Sequence, residues 1–168
     1  MDEVDRIVTA WGRERPDIDP SPMEVFSRIG RLSKHLNLMR KEAFSEHGLE
    51  TWEFDVLSAL RRSGPPYEMA PGQLVAATMV TSGTMTNRVD RLVNRGLVVR
   101  EPSLDDRRGV RVILTDAGLA RVDSAIDRLL TSERAMLDHL PEEQRGQLAA
   151  ALRRLMHEFT DTERGEGE

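Results

Sequence analysis

A chain of 168 residues, 39% hydrophobic and 32% charged with a net charge of −5, fits one domain with a modest core, with or without oligomerisation arms. It has no cysteine, which excludes a disulfide framework, a thiolate nucleophile and a thiol redox switch. There is no run of 18 or more apolar residues and no signal-peptide core behind the acidic start Met1-Asp2-Glu3-Val4-Asp5, so a cytoplasmic protein without membrane contact is expected.

In chain order, Val4, Ile7, Val8 and Trp11 stand at helical spacing and predict a short amphipathic helix over residues 2–14. Pro16, Pro20 and Pro22 break it. So short a helix is not stable alone, so this arm must pack on something. Ser21-Pro22 has the cap-then-proline signature of a helix start, and a long helix is expected to run to about Ser45 with Val25, Ile29, Leu32, Leu36 and Met39 as its apolar stripe. His47-Gly48 ends it. Thr51 is expected to cap the next helix, with Phe54, Val56, Leu57 and Leu60 inward, until Ser63-Gly64-Pro65-Pro66 stops it.

Tyr67 to Ala70 reads as a short extended piece, and Pro71 to Ala77 as a short helix with Leu74 and Val75 inward. Ser82 is expected to cap a helix ending at Gly96, followed by strands at Leu97–Glu101 and Val110–Leu114 around a basic turn. Thr115 opens a helix with Val122, Ile126, Leu129, Leu130 and Leu137 on its apolar face. The last helix starts near Pro141 and repeats Leu148, Leu152, Leu155 and Phe159. The tail from Thr162 is polar and expected to be disordered. The fold class is therefore mainly α with a small β-hairpin. Residues 1–45 form an arm and dimerisation helix, 46–115 a winged helix-turn-helix, 116–161 C-terminal dimerisation helices and 162–168 a tail.

The segment from Thr81 to Arg111 holds seven arginines against four carboxylates, a local balance of +3, while the rest of the chain carries −8. Positive charge thus gathers where a helix is followed by a hairpin, the layout that sends a helix into a major groove and a hairpin tip into a neighbouring minor groove. Met85, Val89, Leu92 and Val93 form the apolar side of this helix. Thr81, Ser82, Thr84 and Thr86 near its start allow close approach to phosphates, and Asn87, Arg91 and Arg95 offer donors for base edges and backbone. At the hairpin tip, Asp106 is placed to orient Arg108 while Arg107 meets the backbone. The alternative for this surface is a solvated helix face and a polar turn, used by an interaction or dimerisation module that does not read DNA.

The run through Asp106-Arg107-Arg108-Gly109-Val110 and Leu114-Thr115-Asp116-Ala117-Gly118 resembles the MarR family of bacterial transcription regulators over roughly residues 25 to 160. The resemblance implies a homodimeric winged-helix repressor on a pseudo-palindromic duplex, released by a small ligand. The arm with Trp11, together with Trp52-Glu53-Phe54-Asp55, is similar to a urate-responsive branch of that family, some of whose members answer to other small anions. That likeness implies a ligand site at Trp11, Asp55, Arg88 and Arg100, for an anion such as urate, xanthine or a tricarboxylate. The chemistry fits: a flat indole, and guanidinium forks for an acidic ligand. An empty site is expected to pair Asp55 with Arg88.

No enzyme is expected. A centre built on His47 and Asp55 lacks a nucleophile and a phosphate cradle, and His35, His47, His139 and His157 have no metal-ligand spacing. No cofactor is expected.

Overall fold

The computed structural model describes residues 1–102 and 109–165, so Asp106, Arg107 and Arg108 at the expected hairpin tip lie outside the described residues. The chain divides into two compact units, Met1–Leu129 and Leu130–Glu168.

The first unit begins with α1 (Glu3–Glu14). Asp2 caps it: one carboxylate oxygen accepts from the amides of Val4 and Asp5 at 2.8 and 3.0 Å, and Asp5 returns a bond to the Asp2 amide at 2.7 Å. The arm does pack, on α2 (Pro22–Ser45). Val4 is buried, Arg28 pairs with Asp2 and Asp5 at 2.8 and 2.5 Å, and Arg31 pairs with Glu3 at 3.3 Å. The Arg28 hydrogen bond, reinforced by the Asp5 amide, pulls Asp2 down from 3.8 to about 2; the Asp2 amide and then Arg28 lower Asp5, and Arg31 lowers Glu3. Ser21 does not cap α2, because its hydroxyl bonds Asp19 at 2.8 Å instead.

α2 ends in a turn where Gly48 adopts a φ of +66° and the Leu49 amide reaches back to the Phe44 carbonyl at 2.9 Å. α3 (Thr51–Arg62) follows, with Glu50 at the cap position where Thr51 was expected. Phe44 and Phe54 stack at 3.9 Å between ring centroids, joining α2 to α3. Phe54, Val56, Leu57 and Leu60 are buried as their spacing predicts, and so is the carboxylate of Glu53.

β1 (Glu68–Met69) and α4 (Pro71–Thr78) lead to α5 (Ser82–Asn94), then to β2 (Val98–Pro102) and β3 (Val110–Leu114). The extended piece after Tyr67 joins the hairpin, so the sheet has three antiparallel strands in the order β1-β3-β2, with Val98 opposite Leu114 and Pro102 opposite Val110. Arg111 on β3 bridges Glu68 on β1 at 2.7 Å and Glu101 on β2 at 2.8 Å, tying all three strands by charge. One of the four carboxylates counted in the arginine-rich segment, Glu101, is thus engaged with a structural arginine.

Thr115 closes the wing and starts α6 (Asp116–Leu137). Its hydroxyl donates to the Gly96 carbonyl at 2.8 Å and accepts from the Gly118 amide at 3.0 Å, while its own amide reaches the Leu97 carbonyl at 3.1 Å. One core cluster collects Phe44, Leu57, Leu60, Leu74, Met85, Leu92, Leu97, Val112 and Val122.

The expected α2 stripe is helical but largely uncovered: Val25 and Leu32 stand 48% and 49% exposed. Val93 and Leu130, expected inward, are also partly exposed, at 37% each.

In the second unit, Arg145 donates to the Leu140 carbonyl at 2.9 Å and pairs with Asp138 at 3.1 Å, fixing the turn before α7 (Glu142–Gly165). Helix continues to Gly165, past Thr162 where the polar composition predicts disorder; residues 166–168 lie outside the described residues. Leu148, Leu152, Leu155 and Phe159 leave an exposed apolar stripe, and Leu137 at the end of α6 is exposed as well.

Candidate functional site

α5 is fixed from beneath and free on top. Met85, Val89 and Leu92 are almost completely buried, which sets the rotation of the helix. The cap is Thr81, one residue before the expected Ser82: its hydroxyl accepts from the Thr84 amide at 3.3 Å and lies 2.9 Å from the Thr84 hydroxyl. Thr86 donates back to the Ser82 carbonyl at 3.0 Å. Thr81, Ser82, Gly83, Thr84, Thr86, Asn87 and Arg91 are exposed, and Arg88 is half-buried. The first turn therefore presents small hydroxyl side chains beside the positive end of the helix dipole, where an anion is favoured.

The arginines of the segment fall into different environments. Arg91 donates to Glu50 at 2.9 Å and lies 4.6 Å over the ring of Trp52. Trp52 in turn donates its indole N–H to the other oxygen of Glu50 at 2.8 Å. Arg88 lies 5.7 Å over the same ring and has no hydrogen bond or ion pair among the described residues. Arg95 points away from this surface: it pairs with buried Glu53 and donates to the Gly48 carbonyl at 2.7 Å. It clamps the end of α5 to the start of α3, a structural engagement that the charge count alone does not reveal. Glu53 also accepts from the Glu50 amide at 2.9 Å.

Arg100 on β2 is likewise engaged, with Asp90 at 2.5 Å and the Thr86 carbonyl at 3.2 Å, so it ties the wing to α5. Asp55 accepts from Arg40 at 3.2 Å, not from Arg88. The guanidinium of Arg40 also lies 5.6 Å from the Phe44 ring, which holds it near Asp55.

Two depressions meet at Trp52 and Arg88. The inner one, about 490 Å³, is lined by Lys41, Glu50, Trp52, Asp55 and Arg88 among others. The outer one, about 470 Å³, is lined by Trp52, Gly83, Thr84, Asn87, Arg88 and Arg91. Asp55 and Arg88 thus share the inner cavity, with Lys41 as a second cation that sequence reasoning missed. Trp11 and Arg100 line neither: Trp11 is 45% exposed on α1. Glu50 and Glu53 were also missed, since each acts on an arginine some forty positions away. The only sequence signal for them was their place at the start of the helix carrying Asp55.

Comparison with known proteins places this geometry in a group. Residues 47–109 match the family model described as MarR family. The chain is 39% identical over 153 residues to the HTH-type transcriptional regulator PecS of Dickeya dadantii, covering 91% of this chain and 92% of that protein. It is 25% identical to the HTH-type transcriptional repressor YetL of Bacillus subtilis, covering 82% of each. Among solved structures, Sco5413, a MarR family transcriptional regulator from Streptomyces coelicolor, superposes with a TM-score of 0.67 at 26% identity, covering 84% of this chain and 96% of that one.

Proposed function

The chain belongs to the MarR family of transcriptional regulators, DNA-binding proteins rather than enzymes, and from that premise we propose that it is a homodimeric repressor, acting in the cytoplasm on a pseudo-palindromic duplex and released by a small anion. One observation carries the reading: α5 buries Met85, Val89 and Leu92 and leaves its hydroxyl-rich first turn, Asn87 and Arg91 facing solvent. A helix so mounted enters a major groove with its N-terminal residues toward base edges and phosphates. Thr81, Ser82, Thr84, Thr86, Asn87 and Arg91 are the contacts we propose on the helix, and Arg107 and Arg108, oriented by Asp106, those at the hairpin tip. Arg95 contributes by holding the helix in place.

The second copy is supported by the uncovered stripe of α2 and, separately, by that of α7. Two copies would place their reading helices about one helical turn of DNA apart.

For the released state we propose a planar or carboxylate-bearing anion of the urate, xanthine or tricarboxylate type in the inner cavity. Arg88 and Lys41 supply the charge, and Trp52 a flat apolar wall. Asp55, already held by Arg40, leaves Arg88 without an ion pair among the described residues and open to the ligand. Trp11 and Arg100 belong to this site through the family resemblance alone. Because Arg88 is part of α5, drawing it inward changes the presentation of the helix to DNA. A coupling of about 1–3 kcal/mol weakens DNA binding roughly 5- to 150-fold.

The test is a mobility shift on the DNA upstream of the protein's own gene, titrated with urate, xanthine and citrate. We expect release of wild type by at least one of them and no release of Arg88→Ala. An Arg88→Ala protein that still binds DNA and answers the same ligand equally well removes Arg88 from the ligand site. Failure to bind any duplex refutes the regulator reading itself.

A further inference from the structure

Two residues outside α5 converge on its central arginine. The Glu50 carboxylate is held at both oxygens, by the Trp52 indole N–H at 2.8 Å and by Arg91 Nη2 at 2.9 Å. The guanidinium carbon of Arg91 lies over Trp52, 4.6 Å from the ring centroid. Three groups therefore close a small loop: indole to carboxylate, carboxylate to guanidinium, guanidinium to indole face.

We propose that Glu50 and Trp52 are positioning residues for DNA readout, holding the Arg91 guanidinium with one edge turned out to take a guanine. The inference rests on the DNA-binding reading above and adds to it a source of base specificity that lies on α3. A guanidinium carries five N–H donors in a rigid fork. Among the described residues only Nη2 of Arg91 has a partner, Glu50, and that bond uses one of its two hydrogens, so the other hydrogen of Nη2 remains, with the parallel N–H of Nη1 or Nε beside it, as an open edge for a base. Two parallel donors are what the O6 and N7 acceptors of guanine require.

Stability does not account for the arrangement. The Arg91 and Glu50 side chains are 53% and 59% exposed, and an ion pair so hydrated adds little to folding. What it does supply is orientation. An arginine free in water has many rotamers to lose on docking, and one already stacked and tethered loses fewer. The carboxylate has a cost as well, because it faces the same surface as the phosphates and repels them. Loss of Glu50 therefore separates two effects: non-specific affinity, governed by net charge, holds or rises, while discrimination between bases falls.

That opposite movement is the test. A duplex selected from random sequence by the wild-type protein is compared with the same duplex changed at the guanine whose replacement Arg91→Ala tolerates, and with an unrelated duplex. Glu50→Ala is expected to reduce preference for the selected duplex about tenfold, with binding to the unrelated duplex unchanged or tighter. Trp52→Leu, which removes both the ring and the N–H, is expected to do the same. In an Arg91→Ala background, Glu50→Ala should alter preference by less than about twofold, because the residue it positions is gone. Thermal unfolding of each variant separates misfolding from misreading. Equal tightening of Glu50→Ala on all three duplexes would make Glu50 an acidic block and overturn the proposal. So would a loss of preference that persists without Arg91, or none at all. A wild-type protein that selects no duplex would instead refute the DNA-binding reading on which the proposal stands.

Discussion

Gly118→Ala should destabilise the protein although it replaces a helical glycine by the best helix former. Gly118 lies in the first turn of α6, and a Cβ built on it falls 2.1 Å from the carbonyl oxygen of Leu97 and 3.0 Å from Leu114 Cδ1. An ordinary carbon–oxygen contact needs about 3.3 Å, so the two backbones must separate by roughly 1 Å. Helix propensity alone favours alanine by about 0.5–1 kcal/mol. Against this, overpacking costs about 1–3 kcal/mol, and here at the upper end because the obstacle is backbone and cannot rotate away. The same Leu97 carbonyl accepts from the Thr115 amide at 3.1 Å, and losing that bond costs about 1 kcal/mol more. The net is a loss of about 3 kcal/mol, or roughly 6–12 °C in melting temperature for a chain of this size. The assay is thermal and urea unfolding followed by circular dichroism. Gly72→Ala, in the first turn of α4 with open space around it, serves as the control and should be neutral or slightly stabilising. A Gly118→Ala protein as stable as wild type would show that α6 and the Leu97 carbonyl do not approach so closely.

Arg95→Ala should cost about 3 kcal/mol, because it strands a carboxylate that is fully buried. Adding Glu53→Gln should restore part of that loss, which equilibrium unfolding of the single and double variants can measure. Arg111→Met should cost about 1–2 kcal/mol by leaving Glu68 and Glu101 to repel across β3; unfolding that is unchanged in both midpoint and salt dependence would contradict it. Docking of α1 should depend on pH in a defined window. Asp2, Asp5 and Glu3 have lowered values in the folded chain, so their contribution is complete above about pH 5.5, where their unfolded counterparts are ionised. It is lost as pH falls toward about 2, where Asp2 itself protonates. Hydrogen exchange of residues 3–14, corrected for the intrinsic rate, should rise relative to the core across that window. Arg28→Ala should show the raised exchange already at neutral pH, and an arm equally protected in that variant would refute the ion-pair account.

The elements were legible because burial on one side imposes a period that a single strand of text carries: Met85, Val89 and Leu92 announce α5 without help from any distant residue. Caps were less legible. Thr81 and Ser82 can both accept an amide proton, and only the path of the chain places the Thr81 hydroxyl against Thr84. Charge was legible in amount and not in use. Arg95 and Arg91 read alike along the sequence, yet one meets Glu53 and the other Glu50 and Trp52, across separations of about forty residues. The pairing of Asp55 failed for the same reason, since Arg40 on α2 lies as close to it in space as Arg88 was expected to be. The α2 stripe shows a further limit: periodicity says that a face is to be covered and not by which molecule.

The carbonyl oxygen of Gly48 accepts from Arg95 at 2.7 Å and from Arg121 at 3.4 Å, so helices α5 and α6 are both moored to one main-chain atom at the end of α2. No side-chain replacement can delete that oxygen, and alanine scanning is blind to it. Only a change to the polypeptide skeleton, such as an ester in place of the amide at Leu49, weakens it as an acceptor. The acceptor half of this junction persists under any side chain that residue 48 can carry in its left-handed turn, and sequence drift can dismantle the junction only through its two donors, Arg95 and Arg121.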